Sequence, residues 1–137
     1  MKIHLEIFLA VLLVLGSCEE LFKKVAHNID PEAKCLDGSP AAIYLSEGDP
    51  RNLLFYFMGG GSCEGNSYSD TLNSCYKRSK TIYGSSALWP DVLPGGGILS
   101  TDPKNNFMAN WTKVFVIYCD GAFHQGYNTD PIKFKDT

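Results

Sequence analysis

Three consecutive glycines, residues 59–61, are the part of this sequence that could contribute most directly to chemistry. They follow an apolar run, residues 53–57 (LLFYF), which has the composition of a strand buried on both faces. Backbone N–H groups in a glycine loop can stabilise the negative oxygen that develops during acyl transfer. The glycines taken alone fit a plain turn at least as well, so both interpretations stay open at this point.

A serine nucleophile is not recognisable in the sequence. Residues 60–64 (GGSCE) approach the G-x-S-x-G pattern of a nucleophile elbow around Ser62, but Glu64 occupies the position of the second glycine. Ser85 and Ser86 follow a glycine as well, and Leu88 stands where the second glycine belongs. We therefore predict that this chain lacks its catalytic nucleophile.

The cysteines indicate disulfide bonds rather than a metal site. The sequence has five cysteines. Cys18 lies in a short N-terminal segment that we expect to be removed, which leaves Cys35, Cys63, Cys75 and Cys119. An even number in an exported chain implies disulfides, and four cysteines allow three pairings. A zinc site is the weaker alternative, because the closely spaced cysteines and the histidine pair that it needs are missing. We expect no metal and no cofactor.

Two further polar positions carry weaker signals. Asn110 opens an Asn-Trp-Thr sequon and is a candidate for N-glycosylation, although it directly precedes an apolar run that could enclose it. His124 follows that run and has no partner recognisable from the sequence, so a surface or capping role is the simpler interpretation.

The N-terminal segment, residues 1–18, has the pattern of a secretory signal peptide. Lys2 is followed by an apolar run, residues 7–15 (IFLAVLLVL), which is too short to span a bilayer, and then by the small residues Gly16 and Ser17. We predict cleavage near Cys18 and a secreted mature chain, residues 19–137. Were the source bacterial, Cys18 could instead carry a lipid anchor.

Length, composition and charge limit the classes of protein to which this chain can belong. The chain has 137 residues, with 45% hydrophobic and 20% charged residues, which is typical of one globular domain or less. The formal net charge is −3 and there is no basic run, so nothing favours a nucleic acid partner.

The hydrophobic pattern predicts the elements that position these residues. Two apolar strands with a helix between them indicate an α/β fold with a mainly parallel sheet, which is incomplete because too few helices are present to cover both faces. The predicted elements are a short helix in 19–27, strands at 41–46, 53–57 and 114–118, a turn at 47–50, a helix at 71–82 and a loop at 89–97.

Several short segments occur in an order that resembles the pectin acetylesterase/Notum family. The resemblance extends from about residue 34 to residue 126. The segments are CLDGSPA at 35–41, GGGSC at 59–63, GSS at 84–86, GILS at 97–100, NW at 110–111 followed by Val114, and YCDG at 118–121. This chain departs from the family at Met58, where an acidic residue is usual, and at Ser62, where an aromatic residue is usual.

The resemblance implies the N-terminal portion of an α/β hydrolase-like fold and a secreted carboxylic ester hydrolase with a Ser-Asp-His triad. All three triad residues would lie beyond Thr137, so residues 19–137 alone are expected to be inactive. The family's oxyanion loop corresponds to Gly60 and Gly61, whose backbone N–H groups would be donors. The pairing that resembles the family's is Cys63–Cys75 and Cys35–Cys119.

The expected substrate is an acetylated polysaccharide, as for pectin acetylesterases. A Notum-like protein deacylase is one alternative. Another is a secreted, non-catalytic binding module that retains the first half of the fold, and a third is a small disulfide-bonded domain related only in appearance.

Overall fold

The computed structural model describes residues 21–26, 30–125 and 130–136. The predicted signal peptide, residues 1–18, lies outside the described residues. Five strands form one sheet in the spatial order β3-β5-β2-β1-β4. The strands are β1 (Leu21–Ala26), β2 (Ala42–Ser46), β3 (Asp49–Phe57), β4 (Val92–Pro94) and β5 (Trp111–Val116). The described helices are α1 (Tyr68–Ser79) and the short 3₁₀ segments Ser86–Leu88 and Gly97–Leu99.

The sheet is mixed rather than mainly parallel. Strands β3 and β5 are parallel and are joined by a crossover that contains α1. The pairings of β1 with β2, β1 with β4, and β2 with β5 are all antiparallel. Parallel strands need a long crossover connection, and within the described residues only the segment between β3 and β5 supplies one that contains an α-helix.

Strand β1 corrects the helix predicted within residues 19–27. Leu21, Phe22 and Val25 fit one face of a helix, but the segment pairs with β2 on one side and β4 on the other. Phe22 is 1% exposed, whereas its neighbours Leu21 and Lys23 lie on the exposed side. Tertiary pairing therefore overrides the local pattern, since six residues form too short a helix to be stable alone.

Strand β3 is present as predicted, but it is not buried on both faces. It starts at Asp49, so the predicted turn at 47–50 is shorter, and the Asp49 N–H donates to the Asn110 carbonyl at 2.7 Å. Because β3 is the edge strand of the sheet, Leu53, Phe55 and Phe57 remain 50%, 54% and 58% exposed. An apolar strand with an open edge is a site for pairing with a further strand.

The other strand predictions hold, and the helix boundaries shift. The strands predicted at 41–46 and 114–118 correspond to β2 and β5. Helix α1 begins three residues before the predicted start, because Ser67 caps it: the Ser67 hydroxyl accepts from the Asp70 N–H at 3.2 Å. The predicted loop at 89–97 contains the three-residue strand β4, which pairs with β1.

The core lies on one face of the sheet and includes a disulfide. Phe22 and Tyr44 are buried against Trp89 and the Cys35–Cys119 bridge. The hydrogen-bond donors of the Tyr44 and Trp89 side chains both have acceptors. The Tyr44 hydroxyl donates to the Pro90 carbonyl, and the Trp89 indole N–H donates to the Ile82 carbonyl at 2.7 Å. The segment after α1 is thereby held against the strands.

Candidate functional site

The candidate site lies at the carboxyl ends of β3 and β5. These two strands are adjacent and parallel, and Phe57 pairs with Val116 at the last step of their register. The segments that leave the two strands therefore meet at the same edge of the sheet. In open α/β sheets this edge is where ligands bind.

The glycine loop, residues 59–62, is fixed at both of its ends. The Met58 N–H donates to the Val116 carbonyl at 2.9 Å, and the Cys63 N–H donates to the Gly121 carbonyl at 2.9 Å. Between these anchors, the N–H groups of residues 59–62 find no protein acceptor among the described residues. Gly61 has a φ of +75°, a left-handed conformation that glycine adopts without strain. Both ends of the loop are thus held in place, and the N–H groups between them have no acceptor among the described residues.

Both predicted disulfide pairings form, and both belong to this site. Cys63–Cys75 links the end of the glycine loop to α1 across 12 residues. Cys35–Cys119 links the segment that follows β5 to the start of the domain across 84 residues. The two segments that carry the site are therefore tied covalently to separate parts of the fold.

Arg78 contacts the glycine loop from the last turn of α1. Its guanidinium donates to the carbonyls of Gly60 and Gly61, the latter at 3.2 Å. The same group lies over the rings of Tyr83 and Tyr118, at 5.4 and 5.1 Å from their centroids.

Sequence reasoning missed Arg78, although a signal was present. Cys75 and Arg78 are three residues apart on a helix and so share a face. Because Cys75 is bonded to Cys63 at the end of the glycine loop, that face is turned towards the glycines.

His124 supports the other side of the loop. Its Nε2 lies 2.9 Å from the Met58 carbonyl and so acts as the donor, and its ring is 4.9 Å from that of Tyr118. Phe123 and His124 have φ values of 58° and 59°, a conformation that costs residues other than glycine about 1–3 kcal/mol each. The structure therefore gives His124 a defined contact where the sequence indicated only a surface or capping role.

Ser62 has no nucleophile geometry. Its hydroxyl donates to the Glu64 carboxylate at 2.6 Å, and no histidine of the described chain hydrogen-bonds to it. A serine nucleophile needs a general base at that position.

Asn110 is exposed, so the apolar strand that follows does not enclose it. Thr112, the third residue of the sequon, accepts from the Gly48 N–H at 3.1 Å. Glycosylation of Asn110 stays a prediction.

The described residues contain no group of three or more His, Cys, Asp or Glu side chains arranged to hold a metal ion. Nor does any helix in the described ranges combine the length and apolar character needed to cross a membrane.

Gly121 is a position where a side chain should destabilise the site. Its φ is +66°, and an added Cβ would lie 2.5 Å from the Cys63 sulfur. We expect Gly121→Ala to lower the free energy of unfolding, by about 1–2 kcal/mol for the left-handed backbone and by about 1–3 kcal/mol for overpacking. Urea denaturation of the oxidised protein measures this loss.

Gly96→Ala is the matched control for that measurement. Gly96 has an extended φ of −149°, and no atom lies within 4 Å of its added Cβ. This variant should unfold at nearly the wild-type urea concentration. Equal midpoints for the two variants would show that Gly121 is not constrained as its geometry indicates.

Comparisons with known proteins show the family and the fold of this chain. The family model described as Pectinacetylesterase matches residues 20–135. Pectin acetylesterase 4 of Arabidopsis thaliana is 37% identical over an alignment of 99 residues that covers 69% of this chain and 23% of that protein. A Danio rerio protein named inactive palmitoleoyl-protein carboxylesterase notum1b is 35% identical over an alignment of 94 residues that covers 67% of this chain and 65% of that protein.

A solved structure has the same fold. The Wnt deacylase Notum from Drosophila aligns with a TM-score of 0.69 and 26% identity, over 81% of this chain and 32% of that one. This confirms the predicted α/β hydrolase-like fold, of which the five strands form a part. The chain spans about a quarter of Pectin acetylesterase 4 and about a third of the Notum structure. With a family model that matches nearly its whole length, the chain belongs to the pectinacetylesterase family.

Proposed function

We propose that the full-length protein, meaning this chain with whatever its reading frame encodes after Thr137, is a secreted carboxylic ester hydrolase that deacetylates polysaccharide. Residues 19–137 are its N-terminal portion. The Ser-Asp-His triad follows Thr137, and this chain supplies oxyanion donors from the N–H groups of Gly60 and Gly61. The observation that carries the proposal is the glycine loop, whose unsatisfied N–H groups lie at the carboxyl end of β3.

The open edge of β3 supports the proposal that the sheet continues. Apolar side chains at that edge are about half exposed, as at Phe55 and Phe57. A further strand beside β3 would cover this edge. Its carboxyl end, if parallel, would lie next to the glycine loop, where an elbow serine could face the Gly60 and Gly61 N–H groups.

Secretion is part of the same proposal. Two disulfides within one small chain are typical of oxidising compartments and uncommon in the cytosol. The predicted signal peptide, residues 1–18, would deliver the chain to such a compartment. N-terminal sequencing of protein from the culture medium should start within a few residues of Glu19.

The test compares residues 19–137 with the full-length protein on p-nitrophenyl acetate and acetylated pectin. We expect background rates from residues 19–137, because an enzyme without its triad retains at most a small residual catalysis. The full-length protein should release acetate from pectin, and Ser62→Ala should leave its kcat unchanged.

Two results would contradict the proposal. One is a full-length protein that is inactive on both substrates. The other is hydrolysis by residues 19–137 that disappears in Ser62→Ala, which would make Ser62 the nucleophile. Hydrolysis of a long-chain acyl ester in preference to acetate would instead favour a Notum-like deacylase.

A second candidate function is a secreted, non-catalytic binding module. The observation that favours it is the Danio rerio relative, which is named inactive. The alignment with this chain covers 65% of that relative. The reading frame after Thr137 separates the two candidates: an in-frame elbow serine supports the esterase, and a stop codon supports the binding module.

A further inference from the structure

Arg78 is held in one orientation by aromatic side chains. The Tyr83 and Tyr118 rings lie 5.4 and 5.1 Å from the guanidinium carbon, and the buried Nε finds no acceptor among the described residues. Arginine is suited to such a position because its planar cation stacks on aromatic rings. The Nη2 of Arg78 points to the glycine loop and donates to the carbonyls of Gly60 and Gly61.

Binding of these two carbonyls also orients two N–H groups. In a trans peptide, the C=O of one residue and the N–H of the next share a plane and point in opposite directions. The Gly60 carbonyl therefore sets the direction of the Gly61 N–H, and the Gly61 carbonyl sets that of the Ser62 N–H. Both N–H groups face away from Arg78 and have no acceptor among the described residues.

We propose that Arg78 is a positioning residue that fixes the Gly60–Gly61 and Gly61–Ser62 peptide planes, so that the N–H groups of Gly61 and Ser62 point to the substrate oxygen. The inference rests on the proposed esterase function. It adds the Ser62 N–H to the donors of the site and gives a polar side chain on α1 a role in acyl transfer without substrate contact.

The alternative that Arg78 only stabilises the fold is less consistent with its contacts. The hydrogen bonds of the Arg78 side chain go to two successive carbonyls of the glycine loop. The Cys63–Cys75 bridge already ties α1 to the end of this loop. Arg78 in addition orients two individual peptide groups. The disulfide at Cys75, three residues earlier on the helix, does not fix the orientation of those groups.

The experiment uses the full-length protein with Arg78→Ala, and with Lys77→Met as the control. Lys77 is an exposed cation on the same turn, and no hydrogen bond or ion pair of its side chain is formed within the described chain. We expect Arg78→Ala to lower kcat by about 10²-fold with little change in KM, because a misdirected donor acts as a lost one. Guanidinium chloride at millimolar concentration should restore part of kcat by occupying the space between Tyr83 and Tyr118, and sodium chloride should not.

A second measurement does not depend on activity. The carbonyl ¹³C resonances of Gly60 and Gly61 should move in Arg78→Ala and stay in place in Lys77→Met. Arg78→Lys keeps the charge and the aliphatic stem, so it covers the case in which Arg78→Ala does not fold. It should move the same resonances in the same direction and lower kcat less.

Unchanged carbonyl resonances in the Arg78 variants would overturn the inference, and so would wild-type kcat in a variant whose resonances have moved. A loss of kcat that guanidinium does not restore, with the fold intact and the resonances unchanged, would also overturn it. A wild-type protein without esterase activity would instead contradict the proposed function, and the resonances alone would then decide whether Arg78 orients the two peptide planes.

Discussion

Replacing the peptide N–H of Gly61 by an ester oxygen lowers kcat of the full-length enzyme by about 10²–10³-fold, while KM changes little. This is the expected result if the Gly61 N–H stabilises the oxyanion only as charge develops in the transition state. Glycolic acid incorporated in place of Gly61 makes the change without adding a side chain. Steady-state hydrolysis of p-nitrophenyl acetate gives kcat and KM separately.

The structure shows why proline is a poorer test. Gly61 has a φ of +75°, and proline is confined to about −65°, so Gly61→Pro would rebuild the loop as well as remove the donor. Gly61→Asn is the better companion, because asparagine keeps the N–H and tolerates a left-handed conformation. It should retain most of kcat.

An ester at Gly96 controls for the chemistry of the replacement. The Gly96 N–H also finds no acceptor in the described ranges, and the residue lies outside the glycine loop. Wild-type kcat for the Gly61 ester, in a protein that folds and is secreted normally, would exclude the Gly61 N–H as an oxyanion donor.

Loss of the Cys35–Cys119 bridge should be the most damaging change to stability. The bridge closes a segment of 84 residues and is buried in the core. Loop-closure entropy predicts a loss of about 4–5 kcal/mol for Cys35→Ala/Cys119→Ala. A domain of this size has about 5–15 kcal/mol in total, so the variant should be largely unfolded or retained in the cell.

Cys63→Ala/Cys75→Ala is the comparison that isolates loop length. That bridge closes only 12 residues, and the same argument predicts a loss of about 3 kcal/mol. Urea denaturation under non-reducing conditions ranks the two double variants. A larger loss for Cys63→Ala/Cys75→Ala would show that local geometry at the glycine loop, and not chain entropy, dominates the stabilisation.

Sequence patterns predict the elements that have strong local signals. They fail where the conformation or exposure of a segment depends on the strands that pack beside it. The β-branched and aromatic composition of β2 and β5 was sufficient to locate them. The apolar residues of β1 fit both a helical and a strand period, and only the pairing with β2 and β4 selects the strand. The LLFYF run of β3 indicated burial, but its exposure depends on its place at the sheet edge, which composition does not encode.

The residues of the candidate site likewise fall into those that the sequence predicts and those that it misses. The glycines, the four cysteines and their pairing could be predicted, because glycine geometry and a resemblance to relatives point to them. Sequence reasoning misses the contacts of Arg78 and His124 with the Gly60 and Met58 carbonyls, since these contacts connect residues 18 and 66 positions apart. Backbone carbonyls carry no sequence signature, so the helical spacing of Cys75 and Arg78 indicates which way the Arg78 side chain faces but not which carbonyls it binds.

The two disulfides are nested, because Cys63 and Cys75 both lie between Cys35 and Cys119. A chain that enters an oxidising compartment with its N-terminus first exposes Cys35 before any of its possible partners. Closing the 12-residue loop between Cys63 and Cys75 costs less entropy than any loop that includes Cys35, so this pair should form early. Its formation removes both wrong partners, and Cys119 is then the remaining one. The outer bridge closes only once β5 has emerged and joined the sheet, so oxidation of Cys35 marks the moment at which the five described strands are assembled.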